Sequence, residues 1–578
     1  MAFQVSPGVN TSEIDLTTVI PAVSTSSGAV AGPFEWGPVD SVRQISNENE
    51  LVQVFGKPTT NTAPTFFTAA SFLAYSNDLR VIRSANNSSN TAVAYRQSAT
   101  PSANVQVKNE EAYDALDLSS GIYPNSVAIA RYPGAVGNSL KISIWANTTQ
   151  PLSAWTYGGY FDKKPGTSYW VSSNFGSTTA NDELHLVVVD EDGSITGVAN
   201  TILEKYSNLS KARNAKNESG ESIYWKDVLY RQSKFVYFTG NPDNTLGVAA
   251  NWGQDANATI VFDEMLAADN SHARFSFAYG TSLNTTDADN IRAYDQIKNS
   301  EKVDVQLVMT ANHSATVVRD VIDTVVDTRK DCVAFVSPAL ANVQAADATT
   351  AVINYRNNAL NNVSSSYAVM DSGWKYMYDK YNDAYRWVPL NGDIAGLCAR
   401  TDTDRDPWFS PAGQIRGQIK NVVKLAYNPN KAQRDELYKN SINPVVSFTG
   451  EGTMLFGDKT MLGRPSAFDR INVRRLFIVL EKSIAKASRA ALFEFNDEFT
   501  RAQFVNLVEP FLRTVQGRRG IYDYRVVCDE TNNTAEVIDR NEFVGDIYVK
   551  PAKSINFIQL NFVAVRTGVA FEEIVGKF

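Results

Sequence analysis

A multidomain chain of mixed α/β and β architecture is what this sequence predicts, and three observations carry that reading. At 578 residues the chain is too long for one ordinary domain, so three or four are expected. It is 43% hydrophobic and 20% charged, a globular balance, and its 11% aromatic content, rich in Tyr and Phe, suits β-rich domains and interfaces. Strand–helix patterns lie towards both ends, around a long polar, turn-rich stretch that reads as short strands.

The elements follow in chain order. Residues 1–20 read as an extended arm, in which Phe3 and Val5 alternate with Gln4 before Pro7-Gly8 breaks the run. So short an arm cannot bury a core and must add to a sheet, in its own chain or another. Residues 21–95 begin an α/β unit. Ser27–Val30 leads into the Gly/Pro-rich loop Gly32–Pro38; Ser46–Phe55 and Pro64–Tyr75 look helical; Asp78–Arg83 reads as a buried strand. Residues 96–300 are rich in Asn, Ser, Thr and Gly. Short strands recur there at Val127–Arg131, Leu140–Trp145, Leu184–Val189 and Phe235–Phe238.

The α/β rhythm then returns, with a strand at Val303–Met309, a helix at Ala315–Arg329 and a strand at Cys332–Val336. That spacing suits a parallel pair with a crossover helix. Residues 21–95 and 301–455 are therefore expected to form one middle α/β domain, split by a β-rich outer insertion of one or two subdomains at 96–300. Residues 456–578 form a C-terminal α/β module. It contains a long helix at Val473–Phe495 and a second at Phe504–Val515, stopped by Gly517. Tyr522–Cys528 and Ala535–Asp539 flank a turn at Thr531–Thr534. In Ile555–Val565, the residues Ile558, Leu560, Phe562 and Ala564 share one face, as in a half-buried strand.

Net charge is −8, which argues against a general nucleic-acid binder. The charge is uneven: residues 461–578 hold 17 Lys and Arg against 15 Asp and Glu, net +2, which leaves −10 on the rest. The three cysteines, Cys332, Cys398 and Cys528, are far apart and without metal-ligand spacing, so no disulfide framework or zinc site is expected. The opening MAFQVSPGVNTSEID has no basic and apolar leader pattern, and no run approaches ~18 apolar residues. Neither a secretory signal nor a membrane span is expected.

Chemical motifs come close and fail. Gly452 to Thr460 resembles a phosphate loop, but Asp458 stands between the last Gly and Lys459, where a carboxylate would repel phosphate. Asp402-Thr403-Asp404-Arg405-Asp406 copies the opening of a calcium loop. Pro407 then stands where the turn needs Gly, and Gly413 where a bidentate Glu is needed, so a structural loop is favoured. His185, His272 and His313 have no second ligand at metal spacing, and nothing selects a catalytic pair. The helix after Val473 is more telling. Leu476, Leu480, Ile484, Ala487, Ala491 and Phe495 cover one face; Arg475, Lys482, Lys486 and Arg489 cluster nearly opposite, with Val479 inside the stripe. Either this is a solvated helix surface or it is an electrostatic dock for an acidic partner.

Several stretches then fall into a familiar order. They are Ser6-Pro7-Gly8-Val9; Arg131-Tyr132-Pro133-Gly134-Ala135-Val136-Gly137-Asn138; Gly392-Asp393-Ile394-Ala395-Gly396; Pro407-Trp408 with Ser410-Pro411-Ala412-Gly413; Gly450-Glu451-Gly452; Phe456 to Thr460; Ile471 to Leu476; Phe511-Leu512; Gly520; and Tyr524 to Asp529. In order and spacing the chain resembles contractile phage tail sheath proteins. Residues 140–300 match least, as a variable outer decoration would.

The resemblance implies a C-terminal inner module completed by the N-terminal arm, and a structural protein rather than an enzyme, with no cofactor or metal. It implies copies of the chain stacked as hexameric rings in a helical sleeve around an inner tail tube protein. Baseplate and tail terminator proteins would be further partners, without direct nucleic-acid contact. The sleeve would be assembled in the host cytoplasm as part of the virion tail, and would shorten to drive the tube through the host envelope. The same job in a non-viral injector, a tailocin or secretion system, is the alternative. On this reading Phe3, Val5, Ile558, Leu560 and Phe562 would take part in strand exchange between subunits, and Lys482, Lys486 and Arg489 would face the tube.

Overall fold

Apolar side chains on both faces build the central sheet. In the computed structural model, which describes residues 24–95, 105–119, 125–242, 251–264 and 272–556, this sheet has six strands. Their order is Ala368–Met370, Val333–Val336, Leu307–Met309, Gly28–Pro33, Leu79–Ser84 and Val42–Ile45. The first five run parallel and the last antiparallel. Val30, Val81, Leu307, Val333 and Val369 point to one core; Ala31, Ile82, Val308, Ala334 and Ala368 point to another. Buried on both faces, such strands read as continuous apolar runs, which is the mark of a parallel sheet covered by helices.

Strands from 28–84 and from 307–370 share this sheet, and the chain between them builds sheets of its own. Thr91–Tyr95, Ser126–Pro133 and Val236–Phe238 form one antiparallel sheet. His272–Ser276, Leu140–Trp145, Glu183–Asp190 and Thr201–Ser210 form another. The two share a core around Val127, Ile142, Leu186 and Trp225. The buried Arg83 guanidinium seams this part to the central sheet by donating to Phe34 O (2.9 Å), Gly37 O (2.8 Å) and Pro133 O (2.7 Å).

The βαβ spacing at 303–336 forms as expected, with Leu307 opposite Val333 in a parallel register. Its first strand is shorter than the apolar run, Leu307–Met309. Its helix runs as α from Ala315, with a π-helical stretch at Val321–Val326. The stretch 392–396 lies inside the helix Asn391–Asp404. Its glycines serve close packing: a Cβ on Gly392 would meet Thr68 O at 2.4 Å, and one on Gly396 the Tyr75 ring at 2.4 Å.

Two expectations in the C-terminal module need correction. The long helix starts at Ile471 and ends at Ser488, followed by a 3-10 turn at Arg489–Ala491. Ala535–Asp539 is a short helix, and the strand that pairs with Ile521–Val527 is Asp546–Pro551. Phe3, Val5, Ile558, Leu560 and Phe562 lie outside the described residues.

Open α/β sheets commonly bind ligands beyond the carboxyl ends of their strands. Here buried polar groups fill that edge. Asp371 accepts from Ser337 Oγ (2.6 Å) and Gly373 N (2.9 Å), and the Asn391 backbone N–H donates to Ser337 Oγ (2.9 Å). Beside them Lys375 and Asp393 form an ion pair at 2.9 Å, each side chain 1% exposed.

Burial pushes the Asp371 carboxyl up to about 8, from ~3.9 for a free aspartate. Between those values the folded chain keeps a proton that the unfolded chain has released. Stability from this group is therefore full below ~4 and is lost as pH rises to about 8. Asp371→Asn removes the titration, so its Tm should fall less than the parent's between pH ~5 and ~8; parallel Tm curves would exclude this assignment.

Candidate assembly surface

The helix Ile471–Ser488 is where two cores meet. At ~100° per residue, Ile471 and Ile478 share one face, and Leu476, Leu480 and Ile484 share another. The first pair joins the central core with Leu397 and Leu455. The second set joins the C-terminal core with Trp408, Val508 and Leu512. Full burial of one such side chain contributes about 1.5–3 kcal/mol. This bridging helix therefore cannot leave either body without exposing apolar surface.

Its polar side chains tie the same two bodies. Arg475 is 4% exposed and pairs with the equally buried Asp402 at 2.5 Å. It also donates to Cys398 O (3.3 Å) and Thr25 O (3.1 Å). Burial raises the Asp402 carboxyl above the usual carboxylate range, against the opposing pull of the Arg475 charge. Asn472 Nδ2 donates to Trp408 O (3.3 Å) and Ala552 O (3.2 Å). Arg470 pairs with Asp458 at 3.2 Å. The buried Asp458 also accepts from Ser410 Oγ (3.0 Å), Tyr438 OH (3.2 Å) and Ser554 Oγ (2.6 Å).

Both near-miss motifs thus have structural work. Asp458, which spoils the phosphate loop, organises four elements. Asp402 and Asp404 of the calcium look-alike lie in the helix that ends at Asp404, not in a loop, and Asp406 pairs with Arg518. Among the described residues no group of His, Cys, Asp and Glu could hold a metal ion.

The basic stripe is only partly what the helical wheel suggests. Arg475 is buried and occupied. Lys482 pairs with Asp304 of the central body. Lys486 and Arg489 are exposed, and among the described residues neither has an ion-pair partner. Past Ser488 the chain presents apolar side chains to solvent: Leu492, Phe493, Phe495 and Phe499, with Phe493 at 104% and Phe495 at 83% exposure. Phe495 therefore lies beyond the helix and off its apolar face. Phe493 sits at φ 72°, a left-handed conformation unusual for a bulky residue. Exposed apolar clusters of this kind mark contact sites. The signal in the sequence is the run Leu492-Phe493-Glu494-Phe495, too apolar for a solvated helix end.

The antiparallel hairpin Ile521–Val527 and Asp546–Pro551 packs on the helix Glu498–Gly517 through Tyr524, Val526, Ile547 and Val549. Among the described residues it is a two-stranded sheet, so neither outer edge is paired there. Such an edge presents backbone donors and acceptors to an added strand. A groove of about 1050 Å³ opens between the hairpin root and the central body, lined by Trp408, Phe409, Tyr438, Phe456, Asp458 and Tyr522.

Comparison with known proteins covers most of the chain. Residues 464–564 match the family model for the phage tail sheath C-terminal domain, and 285–461 the phage tail sheath protein central domain. Residues 28–83 match the tail sheath protein Gp18 domain III N-terminal region. The chain is 35% identical to the tail sheath protein of Vibrio phage KVP40 and 33% identical to that of Enterobacteria phage T4, over 99% of both chains in each case. Among solved structures it is similar to a sheath tail protein of Listeria innocua, with TM-score 0.50, 11% identity and 92% of this chain and 96% of that one covered. One from Desulfitobacterium hafniense gives TM-score 0.50 at 10% identity, over 95% of this chain and 100% of that one. At such identities the likeness is one of fold.

Removing the Asp458 carboxylate leaves Arg470, 19% exposed at its side chain, with Tyr438 and the longer contact to Asp469 at 3.5 Å. Loss of one member of a buried pair costs about 3–5 kcal/mol, and the partial exposure of Arg470 places Asp458→Ala at or below ~3 kcal/mol. Asp458→Asn keeps an acceptor oxygen and should cost less. Urea unfolding of the two variants checks both the size and the order.

Proposed function

The chain belongs to the phage tail sheath family, and from that premise we propose that it is the structural subunit of a contractile sleeve. Copies stack as hexameric rings around an inner tail tube, and the sleeve shortens to drive the tube through the host envelope. It is assembled in the host cytoplasm as part of the virion tail, between baseplate and terminator proteins. Its work is mechanical, without catalysis or cofactor. The relatives that span the whole chain come from phages, which favours the viral tail over a non-viral injector.

One observation carries this reading: the two-stranded hairpin at 521–551, with both outer edges open among the described residues. One face of the hairpin is packed on the helix Glu498–Gly517, and strands from neighbouring copies would pair its outer edges. Residues 1–20 and 555–565, with Phe3, Val5, Ile558, Leu560 and Phe562, are the strands we assign to this exchange. Main-chain pairing would keep subunits joined while their packing changes. A sleeve of many copies can switch as a whole, because coupling of even ~1–2 kcal/mol per subunit adds up along an array.

The tube contact is assigned to Lys486 and Arg489, whose exposure suits them to an acidic surface. Lys482 belongs to the same stripe but faces Asp304, so its reversal would also set two carboxylates against each other.

Two tests follow. Deleting residues 1–20 should abolish polymerisation, read by electron microscopy at rising protein concentration; full-length sleeves from the deleted chain would remove the exchange role. Lys486→Glu with Arg489→Glu should leave a folded subunit that no longer loads on tubes. Normal co-sedimentation of that variant with tubes would remove the tube role from these side chains.

A further inference from the structure

Both ends of the described C-terminal and N-terminal chain are held by the same few residues of the bridging helix. On one side, Arg475 donates to Thr25 O at 3.1 Å, one residue after the described chain begins at Ser24. On the other, Asn472 donates to Ala552 O at 3.2 Å. Arg470 reaches the same side through Asp458, which accepts from Ser554 Oγ at 2.6 Å. Asn556 Nδ2 closes this side by donating to Tyr438 OH at 2.6 Å. The described chain ends there. The two roots are remote in sequence, yet both are fastened between Arg470 and Arg475.

The form of these contacts matters. Arg475 and Asn472 grip main-chain carbonyls, so they hold the path of the chain whatever side chains it carries. Arg475 is itself immobilised by the buried Asp402 carboxylate and by Cys398 O. Its planar fork is suited to serving several acceptors at once, which an ammonium on a flexible stem is not. Ile471 and Leu476 on the same turns are locked into two different cores. The grip therefore sits on a helix packed into two cores.

We propose that residues 470–475 are a common anchor that sets where both segments outside the described chain, 1–23 and 557–578, leave the subunit. Arg475 is the positioning residue for the first and Asn472 for the second. The proposal rests on the exchange reading above: if both segments pair with neighbouring copies, the anchor fixes the vector between the two connections. A pull on one is then passed to the other through a helix rather than a loop. Regular axial spacing requires such a fixed vector.

The test uses the full chain with Arg475→Lys and Asn472→Ala together. Lys keeps a cation beside Asp402 but lacks the planar fork whose Nη2 serves Asp402 and Thr25 O together while Nη1 holds Cys398 O. The unassembled variant should unfold within a few degrees of the parent. Its critical concentration for sleeve formation should rise at least ~10-fold, which is ~1.4 kcal/mol per subunit, or its sleeves should lose the parent's regular axial repeat by electron microscopy. A critical concentration and repeat equal to the parent's would overturn the anchor. If the double variant does not fold, Asn472→Ala alone, which touches no charge, decides in the same way. Deletion of residues 1–20 runs in parallel: if that deletion abolishes assembly while the anchor variant assembles normally, only the anchor is wrong. If the deleted chain assembles normally, the exchange reading falls and takes the anchor with it.

Discussion

One helix serving two hydrophobic cores is the constraint on which the rest of this structure depends. Ile471 and Ile478 complete the central core; Leu476, Leu480 and Ile484 complete the C-terminal one. A helix with a single apolar stripe would have left the two bodies joined by a linker. Two stripes make a hinge here costly, because rotation of one body would uncover side chains of the other. The buried Arg475–Asp402 pair adds direction to this, since a desolvated charge pair tolerates little displacement.

The polar residues that look like ligand sites in sequence are absorbed by the same joint. Asp458 collects Arg470, Ser410, Tyr438 and Ser554. The carboxyl edge of the parallel sheet, where an α/β enzyme would hold a substrate, is closed by Ser337, Asp371, Asn391 and the Lys375–Asp393 pair. The C-terminal module carries two exposed cations of the stripe, a run of exposed aromatics and a hairpin whose outer edges are unpaired among the described residues. That distribution suits a subunit whose contacts are with other macromolecules.

Much of the fold was legible locally. The apolar run at Asp78–Arg83 became the strand Leu79–Ser84, and Leu140–Trp145 is a strand with those same limits. The crossover at 303–336 was readable because strand, helix and strand each carry their own periodicity. The misreadings also have physical causes. Ala535–Asp539, with apolar Ala535, Val537 and Ile538, forms a short helix that begins after Thr534, and the true partner strand comes later. Gly392 and Gly396 lie inside a helix, where they allow close contact with Thr68 and Tyr75. The wheel placed Arg475 with Lys482, Lys486 and Arg489, because a wheel sees angle and not depth along the axis. The first turns of this helix are enclosed and the last are open.

The sequence by itself determined the class of the chain: periodicity, length and composition demand a mixed α/β and β architecture, and ordered stretches such as Phe456 to Thr460 and Ile471 to Leu476 point to one family. It also determined that the phosphate and calcium look-alikes are incomplete, since a missing glycine or an intruding carboxylate is visible without coordinates. Only the tertiary structure decided what those residues do. Asp402 and Arg475 stand 73 positions apart, and Thr25 and Arg475 stand 450 apart. A contact at that separation leaves no local pattern, because it exists only once two cores have closed around one helix.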